Sequence, residues 1–148
     1  MNDTVQLLKD VVRSARTGET SVQHLLDKAE GESMRGELER ERESYRETAR
    51  QAEQALTNLG EQPEPVGMMA KAGMWIGTEM NTLTDRSDAH IAEMVIQGAT
   101  MGIIELTRTR GACPDADPSA AGIASRFIVD QNDIIERQKA RLAQPVVG

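Results

Sequence analysis

Only three aromatic side chains occur in 148 residues, Tyr45, Trp75 and Phe127. A core has to be assembled instead from Leu, Ile, Val, Met and Ala, which suits packed helices better than a β-sandwich. Cysteine is scarcer still: Cys113 is alone, which excludes an intramolecular disulfide and any cysteine-based zinc site. Positive charge is also short, with 17 Lys and Arg against 24 Asp and Glu and a net charge of −7. The Arg residues mostly interleave with Glu, whereas a nucleic-acid binder needs a positive surface that releases counterions, so that partner class is disfavoured. Long apolar runs are missing. The most apolar segment, Ile91 to Leu106, is interrupted by Glu93, Gln97 and Glu105, and a bilayer span needs about 20 apolar residues. The start, MNDTVQLLKD, lacks the basic residues and apolar run of a signal peptide. The expectation is a soluble, cytoplasmic protein that engages neither a membrane nor a nucleic acid.

What the chain does have is helical spacing. Val5, Leu8, Val12 and Ala15, then Val22, Leu26 and Ala29, step by three or four residues, so helix 1 is expected from about Thr4 to Ala29. Asp3 and Gln6 have capping-box spacing, and Gly31 offers a left-handed end. Ser33 can cap helix 2, which continues to Leu59 and stops at Gly60. The EQPEPV loop follows, and then a short helix from Gly67 to Leu83 with Met69, Ala72, Ile76, Met80 and Leu83 on one stripe. TDRSD offers N-caps for helix 3, from about Ser87 to Arg110, with Gly111 at its end. Asp117 and Pro118 then open helix 4, which ends before Pro145.

Each long helix should measure about 36–40 Å. Short links make hairpins of helices 1 and 2 and of helices 3 and 4. The segment from Gly60 to Arg86 is long enough to return along the bundle, so helix 3 should run parallel to helix 2. That is the one-crossover topology of ferritin-like folds. The fold expected is all-α: a ferritin-like antiparallel four-helix bundle with a short helix in the crossover between helices 2 and 3, one domain over residues 1–148.

TGE in helix 1, LTNLGEQPEP at the end of helix 2, AGMWIGTEMN in the crossover and the closing DQNDIIERQKARL resemble a bacterial ferritin-like family of unknown function. The resemblance spans nearly the whole chain. It implies the same fold and a structural or interaction role in a stress or storage context.

Metallated ferritin-like proteins draw carboxylates from all four helices, with Glu-x-x-His on two of them. Helix 2 offers Glu37-x-x-Arg40, Glu39-x-x-Arg42, Glu43-x-x-Arg46 and Glu47-x-x-Arg50, each with a guanidinium, which has no lone pair for a metal, in place of the imidazole. These read as a solvated face of i,i+3 ion pairs. His24 and His90 flank their apolar stripes, and His90 stands in reverse order to Glu93. Asp130, Asp133 and Glu136 line one face of helix 4 and could edge a divalent cation, or simply face water.

Glu19 falls where the seam of helix 1 is due. Aligning the helices at their midpoints brings Tyr45, Gln97 and Gln131 near it, a buried polar layer of Glu19, Tyr45, Gln97 and Gln131. In that layer Glu19 should be hydrogen-bonded, without a cation, and pushed up in pKa by burial. The methionines read as core fillers or, alternatively, as soft ligands for Cu(I). Gly98 and Gly102 should admit a closely packed helix, and Cys113 reads as an incidental thiol in a turn. The functional expectation is a non-enzymatic bundle without a cofactor, its metal site absent or degenerate. The alternative is an iron or manganese oxidase or store. Apolar residues on both faces of the crossover helix, Trp75, Met74 and Met68 among them, point to a homodimer.

Overall fold

The computed structural model of the protein describes residues 2–62 and 84–144, and every regular element among them is an α-helix. These are α1 (Asp3–Lys28), α2 (Glu32–Asn58), α3 (Asp88–Ala112) and α4 (Pro118–Leu142). The short helix expected over Gly67 to Leu83, and with it Trp75, lies outside the described residues.

Local chemistry explains the boundaries, with some differences from expectation. The cap of α1 is Asn2, whose side chain accepts from the Thr4 and Val5 amides. Asp3 sits inside the first turn, and its carboxylate accepts from the Asp115 amide instead. Gly31 is extended (φ −75°) and caps α2 by backbone alone. A Cβ there would lie 3.2 Å from the Asp88 carboxylate, so close approach, not a left-handed turn, favours glycine. Ser33 is thus within α2, and its hydroxyl receives Arg141. The left-handed turn comes at Gly60 (φ 78°), after α2. Ser87 caps α3 and Asp117 caps α4, with Pro118 in the first turn. Gly111 does not stop α3, which runs on to Ala112 and is capped by Cys113.

Cross-helix bonds give the chain directions. The Asp117 amide donates to Thr4 Oγ1 (2.8 Å), so α1 and α4 start side by side and run parallel. Thr109, late in α3, donates to Asp10, early in α1 (2.6 Å), while Gly31 meets Asp88 at the opposite end. Hence α1 and α3 are antiparallel. The start of α2 meets the end of α4 through Glu37 and Arg137 and through Glu41 and Gln138. With α1 and α2 an antiparallel hairpin, α2 runs parallel to α3. The end of α2 and the start of α3 are therefore at opposite ends of the four-helix bundle.

Heptad-like seams fill the interior. On α2 the seam is Met34, Leu38, Glu41, Tyr45, Thr48, Ala52 and Leu56, and on α4 it is Ala120, Ala124, Phe127, Gln131, Ile134 and Gln138, all buried. Steps of three and four keep each set on one face. Glu41 and Thr48 on α2 and Gln131 and Gln138 on α4 are polar or charged, and two layers form, one of Tyr45 with Gln131 and one of Glu41 with Gln138.

Candidate functional site

The first layer surrounds Tyr45. Its ring is 5% exposed, and its hydroxyl donates to Gln131 Oε1 at 2.9 Å. Phe127, one turn before Gln131 on α4, meets the ring edge to face at 6.0 Å between centroids. The ring also lies against Gly18 of α1, where a Cβ would stand 2.3 Å from Tyr45 Cε1. Burial pushes the phenol pKa well above its ordinary value, and the bond to Gln131 only partly offsets this. Tyr45 is therefore a neutral donor.

This contact corrects the expectation for Glu19. Steps of three or four from Ala15 can land on either 18 or 19, and Gly18 takes the seam because the Tyr45 ring fills the space a side chain would need. Glu19 is turned about 100° away, one residue further round the helix. Its side chain is 19% exposed and lies between Arg16 (2.8 Å) and Arg46 (2.6 Å). Burial alone would raise its pKa, but hydrogen bonds from Arg46 and Arg16 outweigh it and hold the carboxyl below its ordinary range. It is an edge ion pair with two cations, where none was expected. Of the four residues expected in one layer, Tyr45 and Gln131 meet, Glu19 does not join them, and Gln97 is solvent-exposed.

The second layer lies one to two turns away, toward the start of α2. Glu41 is 0% exposed and Glu37 5%, both facing α4. Arg137 Nε donates to Glu37 Oε1 at 2.6 Å. Gln138 Nε2 donates to Glu41 Oε2 at 2.7 Å and lies 3.7 Å from the Met34 sulfur. Burial drives the Glu41 pKa up to about 8; the Gln138 hydrogen bond opposes this, and the neighbouring Glu37 carboxylate reinforces it. Glu37 thus belongs to the interior, not to the solvated face expected for helix 2. Glu41 was missed altogether, although the seven-residue step from Leu38 to Tyr45 requires a seam residue at 41 or 42.

The donor set can be compared with a two-metal carboxylate site. Both inward carboxylates come from α2, and α4 answers them with a guanidinium and an amide where carboxylates and imidazoles would be needed. Arg137 brings a positive charge to the place a cation would occupy. His24 and His90 are only part-buried, and His90 faces Glu93 at 3.7 Å. On α4, Asp133 and Glu136 face solvent, and Asp130 lies 3.4 Å from Arg126. Among the described residues no three Asp, Glu, His or Cys side chains gather to hold a metal ion. These groups do not fit a di-iron or di-manganese centre.

A cavity of about 520 Å³ opens between α1 and α3. Gly18, Gly98, Gly102, Met94 and Met101 contribute to its walls, with Tyr45, Phe127 and Gln131 behind them. A Cβ on Gly98 would meet no described atom within 4 Å, and one on Gly102 would meet only Gln131 Oε1, at 3.8 Å. No closely packed helix accounts for these two glycines among the described residues; they line open space. Met101 (58%) and Ile104 (48%) are exposed on the same helix, so Met101 is not core filler. Cys113 is buried at the cap of α3, and burial, with Asp3 and Asp10 nearby, pushes its thiol pKa up. That is unfavourable for a nucleophile.

No protein-family model, curated protein or solved structure gives a significant match to the chain. No helix among the described residues is long and apolar enough to cross a membrane.

Proposed function

We propose that this chain is a non-enzymatic, ferritin-like bundle with a structural or interaction role, in which side-chain hydrogen bonds occupy the level of a lost metal centre. The observation that carries this reading is the pairing of the Glu37 and Glu41 carboxylates of α2 with Arg137 and Gln138 of α4. A guanidinium cannot ligate a metal, and beside a carboxylate it supplies the charge a metal would otherwise supply. Parallel α2 and α3, joined by one long connection, agree with a ferritin-like topology. A crossover helix over Gly67 to Leu83 and a cytoplasmic homodimer belong to the same proposal. The exposed apolar residues Met101 and Ile104 are surface a partner could cover.

One observation favours the rival, an iron- or manganese-binding protein. Glu41 Oε1 and Gln138 Oε1 are buried acceptors without a hydrogen-bond partner, and a hard cation takes such oxygens. Elemental analysis of untagged protein, purified from cells grown with added iron and manganese, separates the two. The proposal expects metal at background. Near-stoichiometric metal that is lost in Glu41→Gln overturns it and supports the rival.

A further inference from the structure

The two unpartnered oxygens of the Glu41 layer pose a definite chemical problem. Glu41 Oε2 accepts from Gln138 Nε2, while Glu41 Oε1 and Gln138 Oε1 are both buried and both without a donor. Each residue is at most 2% exposed, and buried polar atoms are nearly always hydrogen-bonded. Two acceptors cannot satisfy one another. A single proton on Glu41 Oε1 changes this, because a carboxylic acid and a primary amide can exchange two hydrogen bonds: N–H to the acid carbonyl, and O–H to the amide oxygen.

The charges around Glu41 make it the residue that takes this proton. On its own helix, Glu37 lies one turn earlier and interacts with it directly; Arg42 follows it and reaches Gln23 of α1. From α4, Arg137 is spent on Glu37 at 2.6 Å and Arg40 of α2 approaches the same carboxylate at 3.7 Å. From α1, the residues level with Glu41 are the buried Val22, Leu25 and Leu26, with His24 part-buried beside them. Glu37 has two guanidinium groups against it, whereas Glu41 accepts from the neutral Gln138 amide, and the charge of Arg137 only partly offsets its burial.

We infer that Glu41 is a carboxylic acid in the folded chain, and that its proton closes α2 onto α4 and makes that end of the bundle a pH-operated clasp. When the O–H bond breaks, the proton passes to solvent. A bare charge then remains in an apolar layer beside Glu37, with two oxygens unsatisfied. The stable response is for α2 and α4 to part there and admit water. The upward pull of burial on Glu41, to about 8, agrees in direction and places the opening on the alkaline side of neutrality.

The sign follows from linkage. The folded state binds one more proton than the unfolded chain between the ordinary carboxylate pKa and about 8, so stability is greatest at the acid end of that window and falls as pH rises through it. The unfolding constant should therefore rise about tenfold per pH unit there. Glu41→Gln, whose amide can make the same two bonds with Gln138, should remove that slope. Infrared difference spectra of wild type against Glu41→Gln at pH 6 should show one protonated-carboxyl band, lost by pH 9. Absence of that band, or an unchanged slope in Glu41→Gln, overturns the clasp. If the variant fails to fold, wild-type spectra alone decide, by the presence or absence of a carboxylic acid band that titrates near pH 8. A wild-type protein without the band whose two oxygens are instead met by a bridging water or a cation also overturns it. None of these results depends on whether the elemental analysis finds metal elsewhere in the chain.

Discussion

Replacing Gly18 with alanine should destabilise this protein, although the same change ordinarily favours a helix interior by about 0.5–1 kcal/mol. The added Cβ would stand 2.3 Å from Tyr45 Cε1 and 2.6 Å from Cδ1 and Cζ. Ordinary contact begins near 3.4 Å, so ring and helix must separate by about 1 Å. The ring is not free to yield: Phe127 meets it edge-on, and its hydroxyl is bonded to buried Gln131. Overpacking costs about 1–3 kcal/mol, and a weakened buried hydrogen bond costs about 1–3 more. After the helix-propensity gain is subtracted, a net loss of about 1–5 kcal/mol remains. That is a large share of the roughly 5–15 kcal/mol that holds a domain together. Guanidinium unfolding followed by circular dichroism measures it. The double variant Gly18→Ala, Tyr45→Leu should lose less than the sum of its parts by at least about 1 kcal/mol, since a smaller side chain leaves room for the methyl. A Gly18→Ala protein as stable as wild type, with additive double-variant energies, would show that the Tyr45 ring does not rest on α1.

The remaining expectations use the same assay. Gly98→Ala, where a Cβ meets no described atom, should stabilise by about 0.5–1 kcal/mol, and a loss would mean that something packs on that face. Glu19→Gln should cost at most about 1 kcal/mol at neutral pH, because its partners are part-exposed cations, and less in high salt. That difference should vanish in acid. Glu19 is held below the ordinary carboxylate range, so its contribution is present above the unfolded pKa and lost as pH falls through the folded one. Asp117→Ala removes the cap of α4, which accepts from the Ala120 amide, and should cost about 1 kcal/mol.

The four helices were legible because their seams keep a regular step and because their ends are marked. Ser87, Asp117, Pro118 and Gly60 act where their chemistry places them. The relative direction of α2 and α3 could be argued from segment lengths alone, before any contact was known. The polar interior was less legible. A step of three and a step of four are equally helical, so position 19 could not be told from position 18 without the Tyr45 ring that selects the glycine. Glu41 escaped for the opposite reason. It sits in a run of alternating Glu and Arg that looks uniformly solvated, and the spacing from Leu38 to Tyr45 calls for an inward residue there without choosing between Glu41 and Arg42. Its partner Gln138 is a neutral residue near the end of the last helix, and pairing the two requires knowing that α2 and α4 are antiparallel neighbours. Gly98 and Gly102 carried a real signal, but spacing alone cannot distinguish a helix that packs closely from a cavity.

The central proposal is that protein groups and a proton, not a metal, satisfy the Glu37–Glu41–Arg137–Gln138 layer. The most direct test is an anomalous difference map from crystals of the whole chain grown with excess manganese at neutral pH. The expected result is no peak near Glu41 Oε1 and Gln138 Oε1, with Arg137 still against Glu37. A peak within about 2.6 Å of both oxygens, the reach of a hard cation to its ligands, would contradict it.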